Sequence, residues 1–357
     1  MRQRHSNPKL FFPTQKQINW SDLRNTLIRI LKFIAFLFIG LLLLWLAFRN
    51  VKFDKLVEGL KGADYKWVVL SMLFGVAAYI SRARRWNILI KPLGHSPALG
   101  TTFYAMMTGY LANLALPRVG EITRCVALGK KEKIPVDQLI GTVVIERTVD
   151  LMSLLSIMLV LILIRGAEIN EFLRETIFIP LQEKVFSLLG FTRVIWMLIA
   201  FVLVLSLFLL FRNRRRLRKF VFFSKMFDLA RGIFNGFKTI ASLSNKWEFV
   251  FHTVFIWVCY MFMTWVVVFA IEPTAHITLG DSIFLLVVGG LGMSVPVQGG
   301  IGAFHYAVSR GLAFVEGVNL EDGLVYAFLS HESQLLVVIV LGVISFFMIF
   351  RKNNKIP

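Results

Sequence analysis

Two apolar stretches of this chain are each interrupted near the middle by proline and glycine, and these breaks restrict its fold more than any other feature. Leu99 to Leu128 is broken by Pro117-Arg118-Val119-Gly120-Glu121, and Leu279 to Phe314 by Pro296-Val297-Gln298-Gly299-Gly300. Proline removes a backbone donor and glycine lowers the cost of unwinding, so each break leaves polar backbone groups that hydrocarbon cannot satisfy. Such backbone must face protein or water. Each stretch is therefore expected to form two half-helices, a re-entrant hairpin that enters and leaves a membrane on one side.

The membrane setting follows from the rest of the chain. Apolar runs occur at Leu27 to Phe48, Trp67 to Ile80, Val136 to Ile164, Val194 to Phe211, Phe249 to Ile271 and Leu324 to Phe350. Several reach the ~20 residues a helix needs to cross the hydrocarbon core. The chain is 57% hydrophobic with a mean hydropathy of +0.69, against roughly 45–50% apolar residues in a soluble domain. Residues Met1 to Asn25 are polar and basic, and the run that follows is too long for a signal h-region, so it reads as a retained span. The formal charge of +19 lies in loops between apolar spans without a groove reader's pattern, which argues against a nucleic-acid partner. Cys125 and Cys259 lack metal or redox spacing and read as small buried apolar residues.

Charge gives the orientation. Four Lys or Arg lie in Arg82 to Lys91, four in Arg124 to Lys133, ten in Arg212 to Lys246 and three after Phe350, and the positive-inside rule places these segments in the cytoplasm. Both flanks of the first broken unit are basic, whereas Glu272, Asp281, Glu316, Glu321 and Asp322 surround the second. The two hairpins are thus expected to open on opposite sides. The order of parts also repeats: Gly100 and Gly280 are 180 residues apart, and Pro117 and Pro296 are 179 apart.

The expected fold is an all-α polytopic membrane protein with about six spanning helices and two re-entrant broken-helix hairpins in inverted-topology repeats, as in many secondary transporters. Eight complete spans is the alternative. One membrane domain covers residues 1–357, with a cytoplasmic N-terminal segment at 1–26, repeat 1 at 65–164, a basic amphipathic cytoplasmic segment at 212–248 and repeat 2 at 249–350. A multi-pass protein of the bacterial inner membrane, with both termini cytoplasmic, is expected.

Glu146, Arg147 and Asp150 lie inside an otherwise apolar span, at spacings that put them on one helix face. Arg147 sits eleven residues past Val136, about 16 Å into the membrane at ~1.5 Å per residue. A charge at that depth costs at least ~2.5–3.5 kcal/mol, so it must meet a partner or a wet cavity. Either the three form a closed knot that locks helices, or they contact a headgroup or ion. His331 occupies the corresponding depth in the second copy. At the breaks, Arg118 and Arg124 could hold a phosphate with Glu121 orienting them, and Gly299 and Gly300 would let a headgroup approach the backbone beside Gln298 and His305. Arg82, Arg84 and Arg85 read as a span anchor. No catalytic residue, metal or cofactor is expected, and the remaining histidines are scattered.

The segments "RARRWNILIKPLG", "GYLANLALPRVGEITR", "GTVVIERTVDL" and "SVPVQGGIGAFHYAV" resemble the transmembrane region of lysylphosphatidylglycerol synthases, the flippase-like proteins, over roughly Val51 to Phe350. That resemblance implies a lipid-flipping membrane module, whose partner would be the bilayer and an anionic, aminoacylated or prenyl-linked lipid; a homo-oligomer stays open. In the synthases a C-terminal aminoacyl-transferase domain follows. Here only Arg351 to Pro357 come after the last span, so no lysyltransferase activity is expected. The alternatives are an intramembrane lipid-modifying enzyme using Glu146 and His331 as acid and base, and a noncatalytic scaffold for a separate transferase.

Overall fold

The computed structural model describes residues 53–116, 119–174, 243–295, 297–314 and 318–351, with residue 179 and scattered positions between 34 and 45. Among these the regular structure is helical throughout: α1 (Phe53–Gly62), α2 (Tyr65–Ile90), α3 (Leu99–Ala115), α4 (Gly120–Glu132), α5 (Val136–Leu173), α6 (Lys246–Val266), α7 (Leu279–Ser294), α8 (Ala303–Phe314) and α9 (Leu320–Phe350). Four of them, α2, α5, α6 and α9, are long and apolar enough to cross a membrane. The expected spans at 27–48 and 194–211 and the basic segment up to residue 242 lie outside the described residues, as does the N-terminal segment.

Local chemistry sets the helix ends. Asp64 caps α2 by accepting from the Lys66 amide. Thr278 and Asp281 form a reciprocal capping box on α7, and Asn319 accepts from the Asp322 amide at the start of α9; each satisfies orphan donors of a first turn. Helix α5 kinks at Arg165, whose backbone is non-helical. The Arg165 guanidinium reaches across to the Asp281 carboxylate.

Helices α2 and α6 run antiparallel. Ser71 Oγ donates to the Met263 carbonyl at 2.9 Å, and ten residues on Ser81 Oγ meets His252 Nδ1 at 2.8 Å. Small residues let neighbours in: Gly323 of α9 abuts Ser309 of α8, and Gly342 abuts Leu111 of α3. By contrast Leu163 and Ile164 of α5 and Phe347 of α9 are about 70% exposed or more, with relative areas of 76%, 75% and 69%. Such surface suits lipid, not water.

Both broken stretches form hairpins. In the first, Ala105 and Tyr104 near the start of α3 pack with Cys125 and Leu128 near the end of α4, beside Trp86 and Ile90 at the end of α2 and Ile349 at the end of α9. In the second, Phe284 and Leu285 near the start of α7 pack with Leu312 near the end of α8. Their neighbours are Trp67 at the start of α2, Val325 near the start of α9 and Val267 just after α6. Since α2 begins beside one hairpin and ends beside the other, the two open at opposite ends of the bundle. Half-helices of 12–17 residues fall short of the ~20 needed for a complete crossing.

Close backbone approach holds the first hairpin together. A β-carbon on Gly120 would lie 2.0 Å from the Gly109 carbonyl oxygen, and one on Gly109 would lie 2.6 Å from that of Gly120. At the second break Gly299 and Gly300 have φ of +58° and +79°, a left-handed conformation that glycine adopts without penalty.

Candidate functional site

The intramembrane acidic residues lie in a cluster of arginines drawn from three helices. Glu146, with a fully buried side chain, accepts from Arg82 at 2.8 Å and from Arg124 at 3.0 Å. Asp150 accepts from Arg82 at 2.7 Å and from Arg85 at 2.6 Å. Glu121 completes the ring, 3.2 Å from Arg124 and 3.2 Å from Arg147. Arg82 also donates to Tyr260 Oη at 3.0 Å, while the Arg124 guanidinium lies 4.6 Å over the Trp86 ring. Trp86 is pinned in turn by its indole N–H on Thr142 Oγ1.

This arrangement has a buried part and an accessible part. Four guanidinium groups face three carboxylates, leaving one surplus positive charge. The core, Arg82, Arg85, Arg124 and Glu146, is 5% exposed or less and is the structural part. Arg147 differs: its side chain is 39% exposed, and its distances to Glu146 and Asp150 are 3.6 and 3.8 Å. Its shortest ion pair is to Glu121, whose Oε1 lies 3.2 Å from Nε, and it is the one arginine of the four that is not buried. An accessible guanidinium beside a surplus positive charge is what an anionic group requires.

A central cavity of about 620 Å³ adjoins Arg147, lined by Arg82, Glu121, Arg147 and Asp150 on one side and by Gly299 and His331 on the other. The two halves of the chain therefore share one chamber, apolar over most of its wall with polar groups contributed from both halves. Arg147 and Glu121 also border a lateral groove of 350 Å³ whose other walls are apolar, among them Ile122, Ile140, Val144 and Leu151. A second apolar groove, of 520 Å³, lies between α5, α6 and α7 and shares Trp257 and Leu286 with the chamber.

At the second break His331 Nε2 lies 2.8 Å from the Gly299 carbonyl and its Nδ1 2.9 Å from Glu332. His305 is buried beside it, and Gln298 Nε2 is a buried donor without a partner. Gln298, Gly300 and His305 stand behind the chamber wall instead of lining it, as do Arg124 and Glu146. Arg118 lies outside the described residues. Glu146, enclosed by guanidinium groups, does not line the chamber that His331 faces, so the structure does not bring together the acid and base of the enzyme alternative.

The reading of Arg82 and Arg85 as a span anchor needs correction. Only Arg84 faces outward, paired with Glu248 at 2.6 Å; Arg82 and Arg85 turn into the cluster and are among its most buried members. The signal was present in α2, where the buried positions Ser71, Gly75, Ala78, Arg82, Arg85 and Leu89 follow alternating spacings of four and three, the stripe of a helix face that packs inward. Arg84 falls off that stripe.

Comparison with known proteins agrees with this architecture. The chain is 30% identical over 124 residues to a UPF0104 membrane protein of Methanocaldococcus jannaschii, a match covering 34% of this chain and 35% of that relative. The chain thus aligns with about a third of the relative's length. No solved structure matches it. A family model described as the lysylphosphatidylglycerol synthase TM region matches residues 32–342, which takes in both hairpins, three of the four long helices, most of α9 and every arginine of the cluster. The chain belongs to the lysylphosphatidylglycerol synthase transmembrane-region family, a family of multi-pass membrane proteins connected with lipid handling.

Proposed function

We propose that this protein is a flippase-like transporter that moves a polar or anionic lipid between leaflets. The observation that carries the reading is Arg147: the accessible guanidinium of a cluster with one surplus positive charge, standing where the central chamber meets an apolar lateral groove. An amphiphile needs both surfaces at once. Its headgroup would occupy the chamber between Arg147 and the backbone of the second break, while its acyl chains remain in the grooves beside α5. Arg84, Lys91, Lys130, Lys131 and Lys133, at the ends of α2 and α4 and just beyond them, support placing the first hairpin's opening at the cytoplasmic face, in a bacterial inner membrane with both termini inside. The helices of the second copy would then open outward, giving alternating access across the shared chamber. Matching of the membrane region of the synthases favours a transporter over a transferase.

Translocation of labelled phospholipids in proteoliposomes tests this. Purified protein should accelerate movement of an anionic or aminoacylated lipid over empty vesicles; no acceleration with any such lipid would refute the assignment. Arg147→Gln should slow the rate about tenfold or more, since a hydrogen bond to a charged group contributes ~1.5–3 kcal/mol. Its thermal stability should fall by about 1 kcal/mol or less, because its ion pairs to Glu121 at 3.2 Å and to Glu146 and Asp150 at 3.6 and 3.8 Å are made by a partly exposed side chain. An unchanged rate would remove Arg147 from the headgroup site.

A further inference from the structure

Helices α8 and α9 bring two histidines and a glutamate into a cluster that the lipid reading does not use. His305 Nε2 lies 3.4 Å, and His331 Nδ1 2.9 Å, from the same oxygen, Oε1 of Glu332. The three ligand atoms fall within 4.8 Å of one another. His305 is 1% exposed and His331 7%.

Hydrogen bonding restricts what these atoms can be. A carbonyl oxygen only accepts, so the contact of His331 Nε2 with Gly299 O assigns the ring proton to Nε2. In neutral His331 this leaves Nδ1 with a lone pair aimed at a carboxylate oxygen, two acceptors at 2.9 Å with nothing between them. His305 adds a second difficulty: both its ring nitrogens are buried and neither forms a hydrogen bond. Burying an unpaired polar group is costly. A cation held among the three atoms removes both difficulties.

We propose that His305 Nε2, His331 Nδ1 and Glu332 Oε1 form a binding site for a divalent transition-metal ion of the zinc class. Tetrahedral zinc with bonds of about 2.0–2.2 Å has ligand-to-ligand edges of about 3.3–3.6 Å; the 3.4 Å between His305 and Glu332 matches, while on binding the 2.9 Å between His331 and Glu332 would open and the two nitrogens would draw in from within 4.8 Å. Calcium and magnesium, which take six or more oxygen ligands, do not suit two imidazoles. The bond from His331 to Gly299 is the outer-shell contact that orients a ligating histidine and fixes its tautomer. Three protein ligands leave a fourth position, and His331 lines the central chamber. A bound ion would tie α8 and α9 together and, through His331, hold the Gly299 turn. The site stands on residues separate from Arg147 and does not depend on the lipid reading.

The test is metal binding by the full-length protein in detergent, after chelator treatment and dialysis. Co²⁺ should give the intense visible absorption of a four-coordinate site, and Zn²⁺ should displace it at one ion per chain. His305→Ala and Glu332→Gln should each weaken binding at least tenfold, His305→Cys should retain it with a sulfur-to-cobalt charge-transfer band, and His252→Ala should bind as the parent does. Weak octahedral cobalt absorption in the parent, or equal uptake by a triple variant lacking all three ligands, would overturn the proposal and leave a proton shared between His331 and Glu332 as the occupant. The parent's cobalt spectrum decides the matter even if a variant fails to fold.

Discussion

Glu146→Gln is expected to destabilise the protein by about 3–5 kcal/mol, the cost of removing one partner from a buried ion pair. The fully buried Glu146 carboxylate accepts from Arg82 and Arg124 and lies 3.7 Å from Arg85. Neutralising it leaves those guanidinium groups in an apolar interior with two carboxylates for four positive charges. An amide also offers one oxygen where the carboxylate offers two. Thermal unfolding in detergent, followed by tryptophan fluorescence, should show a large fall in midpoint. Glu248→Gln removes the partner of exposed Arg84 and should cost about 1 kcal/mol or less. Equal small effects at the two positions would show that the cluster is wetter than its burial indicates.

Gly120→Ala carries the second large effect. The added methyl would sit 2.0 Å from the Gly109 carbonyl and 2.6 Å from Asn113, both on the facing half-helix, and the Gly120 amide donates to Asn113 Oδ1 at 2.7 Å. Backbone cannot yield as a flexible side chain does, so α3 and α4 must separate at a cost of about 1–3 kcal/mol. Arg124 lies one turn beyond Gly120 and moves with it, which pulls its guanidinium from Glu146. Stability and translocation should therefore fall together. Gly141→Ala, made on α5 where nothing lies within 4 Å of the new methyl, should be neutral or stabilising by up to ~1 kcal/mol through helix propensity. A similar midpoint for the two variants would contradict the close approach of the hairpin arms.

Much of the site was legible because periodicity within one helix is a local property. The spacing of Glu146, Arg147 and Asp150 predicts a shared face, and proline with glycine predicts where the helices break. Arg82 and Arg85 were harder to place, since a run of basic residues near a span end is the ordinary signature of an interfacial anchor. Their inward turn depends on where α5 presents its carboxylates. His305 and His331 lie 26 residues apart in the sequence, and no spacing rule joins residues on separate helices.

The sequence by itself determined that this chain is a helical membrane protein, that two stretches cannot cross as continuous helices, and that the hairpins they form face opposite ways. The first two follow from hydrocarbon's inability to solvate free backbone or unpaired charge, and the third from the bias of basic flanks toward the cytoplasmic side; both constraints act on every segment separately. Only the tertiary structure decided that Arg147 stays accessible while Arg82, Arg85 and Arg124 are buried against carboxylates, and that two histidines converge on one glutamate. Ion-pair strength falls off over a few ångströms, so which charges remain available is settled by the packing of whole helices.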